Sequence, residues 1–521
     1  MGIPINANTG AGKIVARFAG LTFGWQYLIF IVLAWLVFLP VIGNTFVSDD
    51  HIVIKRVCIE GHLNTEGFFR PLSDITIYLN YLAFGLHPFG YYLFNIVIHA
   101  LSAVLLFQFC RRCQWTADPD KQLLTAAIAS LFFLVYPFHS ESIVWLLGRG
   151  STMGNTLALL GLIIMVGNTR ENVKITGVCT CYFIAMTGYE SMMVFPAMVF
   201  IWLMGGGSPL KRYMVWMAML TLTLFLHIWL RISVSGSITG DYGSVFFHTN
   251  LVEIAVSSAK AVGRLFLPPM ASVKLLTVLF LTIMALIVLT AICLWRKIRH
   301  DQPARRFFLQ MAASCLIALL VPFYFGVSSH TSESDRLLHF PSFFFCVLLA
   351  FGLVNLLYPK PALKMIMGSI LVYFIVCLQL TCLNWRKASG AVRVLLNTIE
   401  QHDNRGKLYI VNMPEETEGA FIFRTGFRQA LDIYHLPHDS LHVVNMIKRD
   451  SVLAFRGILE ARQHEDGIFI QPNVFIVQNG KKQQEATDRR NVHTVNCNEY
   501  DEVLYWDKKK WIRLKKAAGY R

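Results

Sequence analysis

The stretch Thr45-Phe46-Val47-Ser48-Asp49-Asp50-His51 follows directly on an uncharged apolar run, Trp25 to Ile42. That run is long enough to cross a bilayer as a helix. Two adjacent carboxylates therefore stand where a membrane helix meets water. Acidic side chains there are costly unless something uses them. The junction predicts a membrane protein whose working groups sit at helix ends, on the side where Asp49 and Asp50 emerge.

The rest of the chain agrees. Of 521 residues, 55% are hydrophobic and 15% charged, which excludes an ordinary soluble protein of this length. After the first run, spans are expected near 90–109, 123–136, 153–166, 173–187, 191–204, 213–229, 275–295, 307–327, 341–357 and 365–383, about eleven in all. Lys13, Arg17, Arg111, Arg112, Arg170, Lys174, Lys211, Arg212, Arg296, Lys297, Arg299, Arg305, Arg306, Lys360 and Lys364 fall in alternate connections. This bias sets the N-terminus inside and the C-terminus outside. It also accounts for the net charge of +15 without a nucleic-acid partner.

Two outer segments carry structure of their own. Residues 251–266 have helical periodicity and are expected to lie in the membrane interface, ending at Leu267-Pro268-Pro269. From Asn384 the composition turns mixed. Strand-like runs appear at 408–411, 420–423, 468–470 and 474–477, the last followed by the turn pair Asn479-Gly480. The expected architecture is an α-helical polytopic membrane domain, residues 1–384, followed by a small extracytoplasmic α/β domain, residues 385–521.

The polar residues then sort by face. Asp49, Asp50, Arg70, His139, Glu141, Arg149, Glu190, Arg231, Asp335 and Arg336 all fall at outer ends. Asp49 or Asp50 suits a general base, because partial desolvation and a neighbouring like charge raise one pKa toward a useful range. The plainer reading of the pair is a marker of the water boundary. Arg149, Arg231 and Arg336 suit a phosphate, which guanidinium forks match; lipid headgroups offer the same chemistry. His139 and Glu141 are read as loop-holding groups, since the spacing is not that of a tight metal site. Trp145 is read as an interface anchor. The eleven cysteines lie mostly in apolar runs and are read as packing residues; Cys58 and Cys497 fall in outer segments. A transporter or lipid-linked-glycan flippase, relaying protons through the same carboxylates, is the rival class. It predicts internal repeats and mid-span charges, and the sequence has neither.

Several motifs stand in a fixed order: Ser48-Asp49-Asp50; Phe69-Arg70-Pro71-Leu72; His87-Pro88-Phe89-Gly90-Tyr91-Tyr92-Leu93-Phe94-Asn95 with His99-Ala100-Leu101; His139-Ser140-Glu141 with Trp145 and Gly148-Arg149; Glu190; and Asp335-Arg336 with Phe340-Pro341-Ser342. With them, residues 20–385 resemble the integral-membrane glycosyltransferases of the C fold class. Within that class the chain is most similar to the protein O-mannosyltransferases and the transmembrane-and-tetratricopeptide O-mannosyltransferases, here without the repeats. The resemblance implies inverting transfer of a sugar from a polyprenyl-phosphate donor to an extracytoplasmic protein, glycan or lipid acceptor, in what is expected to be a bacterial inner membrane. It implies Asp49 or Asp50 as the catalytic carboxylate and Arg149, Arg231 and Arg336 as donor-phosphate contacts. Arg70, His139, Glu141, Glu190 and Asp335 support them. A divalent metal stays open, because relatives differ in using one. Tyr136 stands where the family has His, Tyr189 where it has Lys, and Asp335 where it has Glu.

Overall fold

The structure is a computed structural model, which describes residues 10–63, 68–204, 209–238, 250–403 and, with short gaps, 405–515. The helices in chain order are α1 Gly10–Gly20, α2 Phe23–Phe38, α3 Asp50–Ile54, α4 Pro71–Phe84, α5 Pro88–Arg112, α6 Pro119–Leu134, α7 Ser140–Val144, α8 Arg149–Val166 and α9 Glu171–Gly188. They continue with α10 Phe195–Met204, α11 Leu210–Ser235, α12 Leu251–Arg264, α13 Val273–Ile298, α14 Gln302–Phe325, α15 His339–Leu357, α16 Ala362–Glu400 and α17 Phe427–Ile433. The chain forms two compact units: residues 1–42 with 62–383, and residues 43–61 with 384–521. The loop that carries Asp49 and Asp50 thus groups with the C-terminal residues, whereas the sequence reading counted it with the membrane part.

The first unit is a polytopic helical membrane domain. Each of the eleven expected spans coincides with a helix. Eight helical segments among the described residues are long and apolar enough to cross a membrane. A ninth forms if α6 and the bent segment that follows it, turned by 49°, count as one span. The remaining two, α9 and the short apolar helix Glu190–Met204, fall below that standard, so the count of eleven comes down to eight or nine by length and composition. The expected interfacial helix is α12, begun by Asn250, whose side chain accepts from the N–H groups of Val252 and Glu253.

Two joints fix the helices that matter for the site. The start of α8 meets the end of α9 backbone to backbone: a Cβ at Gly150 would stand 2.6 Å from the Gly188 carbonyl oxygen, and one at Gly154 would stand 3.0 Å from that of Ala185. Small residues at this i, i+4 spacing let membrane helices approach closely. Before α8, a Cβ at Gly148 would stand 2.3 Å from the Glu141 carbonyl oxygen. The glycines on either side of Arg149 are therefore required by space.

The second unit carries a four-stranded sheet in the order Trp511–Lys515, Glu502–Trp506, Leu408–Val411, Leu441–Val443. The central strand pairs in parallel with both neighbours, and the outermost pair is antiparallel. Leu408, Ile410, Val411, Val503 and Leu504 form its buried core. The expected strand 468–470 lies in strand Gly467–Pro472, and that at 474–477 overlaps Phe475–Gln478. Asn479-Gly480 and Cys497 lie outside the described residues.

Candidate functional site

In the first unit, α5 and α8 start, α9 and α11 end, and the segments leading into α10 and α15 begin, at one end of the helices. Charged residues collect there in three groups. In the first, Glu190 follows α9 and receives two guanidinium groups. Arg70, the residue before α4, donates from Nε and Nη2 at 2.9–3.1 Å, and Arg231, near the end of α11, donates from Nη1 at 3.1 Å. With one carboxylate between two guanidiniums, the three side chains sum to a single positive charge. Arg231 and Glu190 are nearly sealed, with side chains 2% and 9% exposed, whereas Arg70 is 24% exposed. The Tyr189 ring lies 5.4 Å from the Arg70 guanidinium carbon, bracing it as a cation–π partner.

The second group is Arg149. Its guanidinium is fully buried and donates to Asn95 Oδ1 at 3.0 Å, Asn80 Oδ1 at 2.8 Å and the Tyr91 carbonyl at 3.2 Å, with the Phe94 ring 4.8 Å away. These partners are neutral oxygens, and they orient the cation.

In the third group, Glu141 accepts from the Arg336 side chain and, at 2.9 Å, from the Arg336 backbone N–H. The Trp145 ring lies 5.3 Å from the Arg336 guanidinium carbon. Trp145 is itself 7% exposed, so it packs the site rather than anchoring at the interface. Asp335 turns away from its neighbour Arg336 and takes both oxygens to Arg264 Nη2, at 2.6 and 2.7 Å. Both partners are fully buried, and the Arg264 guanidinium carbon lies 4.2 Å from the Phe138 ring. Arg264 is a partner the sequence reading did not name. His227, one turn before Arg231, is another: it is fully buried, and neither ring nitrogen has a hydrogen-bond partner among the described residues.

Two of the three expected phosphate arginines, Arg231 and Arg336, are thus held by carboxylates, and Arg149 is held by neutral oxygens. His139 does hold its loop: its Nε2 lies 2.8 Å from Ser342 Oγ. Its ring packs not with Glu141 but with His99 and His339, the group among the described residues with metal-ligand proximity. A cavity of about 570 Å³ opens at the opposite end of the helices, lined by Trp115, Trp202, Arg212, Arg306 and Gln310, and touches none of the candidate residues.

In the second unit the two acids differ sharply. Asp50 is fully buried, and its Oδ2 accepts from the Val47 N–H at 3.0 Å. Asp49 is half-buried; its Oδ1 accepts from Ser48 Oγ at 3.0 Å and from the Thr425 hydroxyl. The loop is seated by the Ser48 N–H donating to Ile422 O at 2.8 Å and by Gly426. That glycine has φ +79°, and a Cβ on it would stand 2.4 Å from the Ser48 carbonyl oxygen. His51 is sealed beside Phe423, with ring centroids 5.6 Å apart, and burial pushes its pKa down to about 4.

No protein-family model matches the chain. It is similar to the mouse protein O-mannosyl-transferase TMTC3, 34% identical over 95 residues, which are 18% of this chain and 10% of that one. It is also similar to the Caenorhabditis elegans protein O-mannosyl-transferase F38B6.6, 25% identical over 166 residues, 28% of this chain and 24% of that one. The alignments thus span a tenth to a quarter of the length of these relatives. Among solved structures, ArnT from Cupriavidus metallidurans in the apo state aligns with a TM-score of 0.48 and 13% identity, over 82% of this chain and 86% of that one. The resemblance read from the ordered motifs is thus found again in the sequence relatives.

Proposed function

We propose that the chain is a membrane glycosyltransferase that takes a sugar from a polyprenyl-phosphate donor and delivers it to a hydroxyl on the non-cytosolic side. The observation that carries this reading is the linked group Arg70–Glu190–Arg231, two guanidiniums on one carboxylate, whose most exposed member is Arg70. Such a group suits an anion arriving from one side. Its fixed guanidiniums cost little reorganisation when charge develops on a departing phosphate. Arg149 adds a second oriented cation at the same end of the helices. The similarity to named protein O-mannosyl-transferases supports the same class of chemistry.

The reaction follows from these roles. The acceptor oxygen attacks the anomeric carbon as the bond from that carbon to the phosphate oxygen breaks, giving inversion. The electron pair leaves with the lipid phosphate, whose charge the arginines meet. The acceptor proton passes to a carboxylate. Of the two candidates we assign that role to Asp49. Asp50 is sealed and its Oδ2 is spent on the Val47 N–H, whereas Asp49 keeps access to solvent. The hydroxyls of Ser48 and Thr425 hold Asp49 in one orientation. Asp50 then acts as a positioning residue for the turn.

The test is transfer from a polyprenyl-phosphate mannose donor by the purified full chain. Asp49→Asn is expected to lower the rate by about 10²–10⁴-fold, the range for loss of a general base, with the melting temperature unchanged. Asp50→Asn is expected to lower the melting temperature as well. Full transfer by Asp49→Asn would overturn the assignment of the base. Wild-type protein that transfers no sugar from any polyprenyl-phosphate donor would overturn the function.

A further inference from the structure

Three histidines far apart in sequence meet inside the first unit. His99 lies on α5, His139 between α6 and α7, and His339 begins α15. All three are fully buried. Their ring centroids are 4.5 Å apart for His139 and His339, 5.1 Å for His99 and His139, and 5.9 Å for His99 and His339. One ring nitrogen from each lies within 4.8 Å of the other two.

Each imidazole has one nitrogen held from behind and one that meets no hydrogen-bond partner among the described residues. His99 Nε2 donates to the Leu134 carbonyl at 3.0 Å, which leaves Nδ1 as a lone pair. The Ser342 hydroxyl donates to the His339 carbonyl at 2.7 Å, so its oxygen accepts from His139 Nε2 at 2.8 Å and His139 Nδ1 is the lone pair. His339 Nδ1 lies 2.9 Å from the Asn155 amide, and its Nε2 has no partner. Asn155 Oδ1 has none either. Asn155 Nδ2 also donates to Ser151 Oγ at 3.2 Å; in the alternative amide orientation, which gives up that bond, the oxygen faces His339 Nδ1 and Nε2 is the third lone pair. Three buried ring nitrogens that meet no partner among the described residues, gathered in one spot, are costly unless something fills them.

We infer that His99, His139 and His339 form a binding site for a divalent transition-metal ion of the zinc type. A metal-ligating histidine characteristically fixes its other nitrogen on a carbonyl, carboxylate or hydroxyl, which sets tautomer and ring angle. Leu134, Ser342 and Asn155 supply those three fixings. A tetrahedral ion with bonds of about 2.0–2.1 Å sets its ligand nitrogens about 3.4 Å apart. The rings therefore close by about 1.4 Å at the widest pair relative to the present separation. The Phe133 ring packs against all three imidazoles, at 4.6, 5.2 and 5.3 Å, and walls the site with apolar surface. Three neutral nitrogens leave a fourth coordination position for water. The site is separate from the arginine groups, and its metal content does not depend on what sugar the protein transfers.

The experiment is elemental analysis of the purified full-length protein from zinc-supplemented medium, followed by extraction with chelator and titration with Zn²⁺ or Co²⁺. One equivalent of zinc per chain is expected. Bound Co²⁺ is expected to show the intense visible bands of tetrahedral nitrogen ligation. His139→Ala and His339→Phe should each lower the affinity by more than tenfold. Ser342→Ala, which removes only the fixing behind His139, should lower it by about 10–100-fold. His339→Phe keeps an aromatic ring in place, so it reports on metal even if the alanine variant fails to fold. Folded wild-type protein with no bound zinc and no cobalt bands, or undiminished binding in a folded His339→Phe variant, would overturn the site.

Discussion

Two buried arginine–carboxylate groups stand at the same end of the helices and differ in balance and access. Arg264 and Asp335 are one cation and one anion, sealed at 1% and 0% side-chain exposure. Arg70, Glu190 and Arg231 are two cations and one anion, with Arg70 open at 24%. A balanced, sealed pair can hold loops together but has no charge left to offer. A group of two cations on one anion with an open member has access. Charge count and exposure together separate structural ion pairs from groups able to meet a ligand; the presence of an arginine does not.

This contrast can be broken most forcibly at the sealed pair. Arg264→Leu leaves Asp335 buried without its cation and is expected to cost about 3–5 kcal/mol of stability, read as a large drop in thermal midpoint. Transfer activity should fall only as the folded fraction falls. An unchanged midpoint would mean that Asp335 is not held as described. At the open group, Arg70→Met is expected to cut transfer by about 10²-fold, the loss typical of one stabilising donor, while the midpoint stays within a few degrees. Equal loss of stability in both variants would erase the distinction.

The same opposition recurs in the second unit, between sealed Asp50 and His51 and half-open Asp49. His51 gives it a pH signature. Burial holds its pKa at about 4 in the fold against the ordinary 6.5, so the unfolded chain binds the proton more readily. The stability from neutral His51 is complete above pH 6.5 and is lost as pH falls through about 4, by at most about 3 kcal/mol. His51→Gln should flatten that part of the stability profile. A wild-type profile already flat between these values would show His51 in contact with water. Gly150→Ala follows, at about 1–3 kcal/mol for forcing a methyl group against the Gly188 carbonyl. The smallest effect is expected at the far end of the helices, where Arg212 and Glu171 pair at 34% and 39% exposure. Glu171→Gln there should change stability by no more than about 1 kcal/mol, and a larger shift would undercut the use of exposure as the criterion.

Much of the helical architecture was legible in the sequence, for a physical reason. A bilayer imposes one length and one polarity on every crossing, so each expected span met a helix even where α9 and α10 are individually too short or too polar to qualify. What escaped was pairing. Asp335 sits beside Arg336 in the chain but bonds Arg264, 71 residues away, and nothing in local pattern specifies that choice. Glu141 went to Arg336 by the same kind of long-range selection. His99 and His339 read as parts of separate motifs, and only the fold sets them beside His139. The Gly150–Gly154 spacing was the one readable signal passed over, since small residues four apart in a membrane helix mark close approach. Nor does any local pattern in residues 43–61 show that the acidic loop groups with the C-terminal residues.

The contact between Gly150 and Gly188 has a consequence beyond packing. Side chains between helices can be exchanged for others of slightly different bulk, and a bundle drifts in shape as they are. Here main chain rests on main chain, one residue from Arg149 on one side and two from Glu190 on the other. The spacing of those two charges is set by the dimensions of the peptide group itself. Variation elsewhere in the bundle can retune what surrounds this ruler but cannot stretch it.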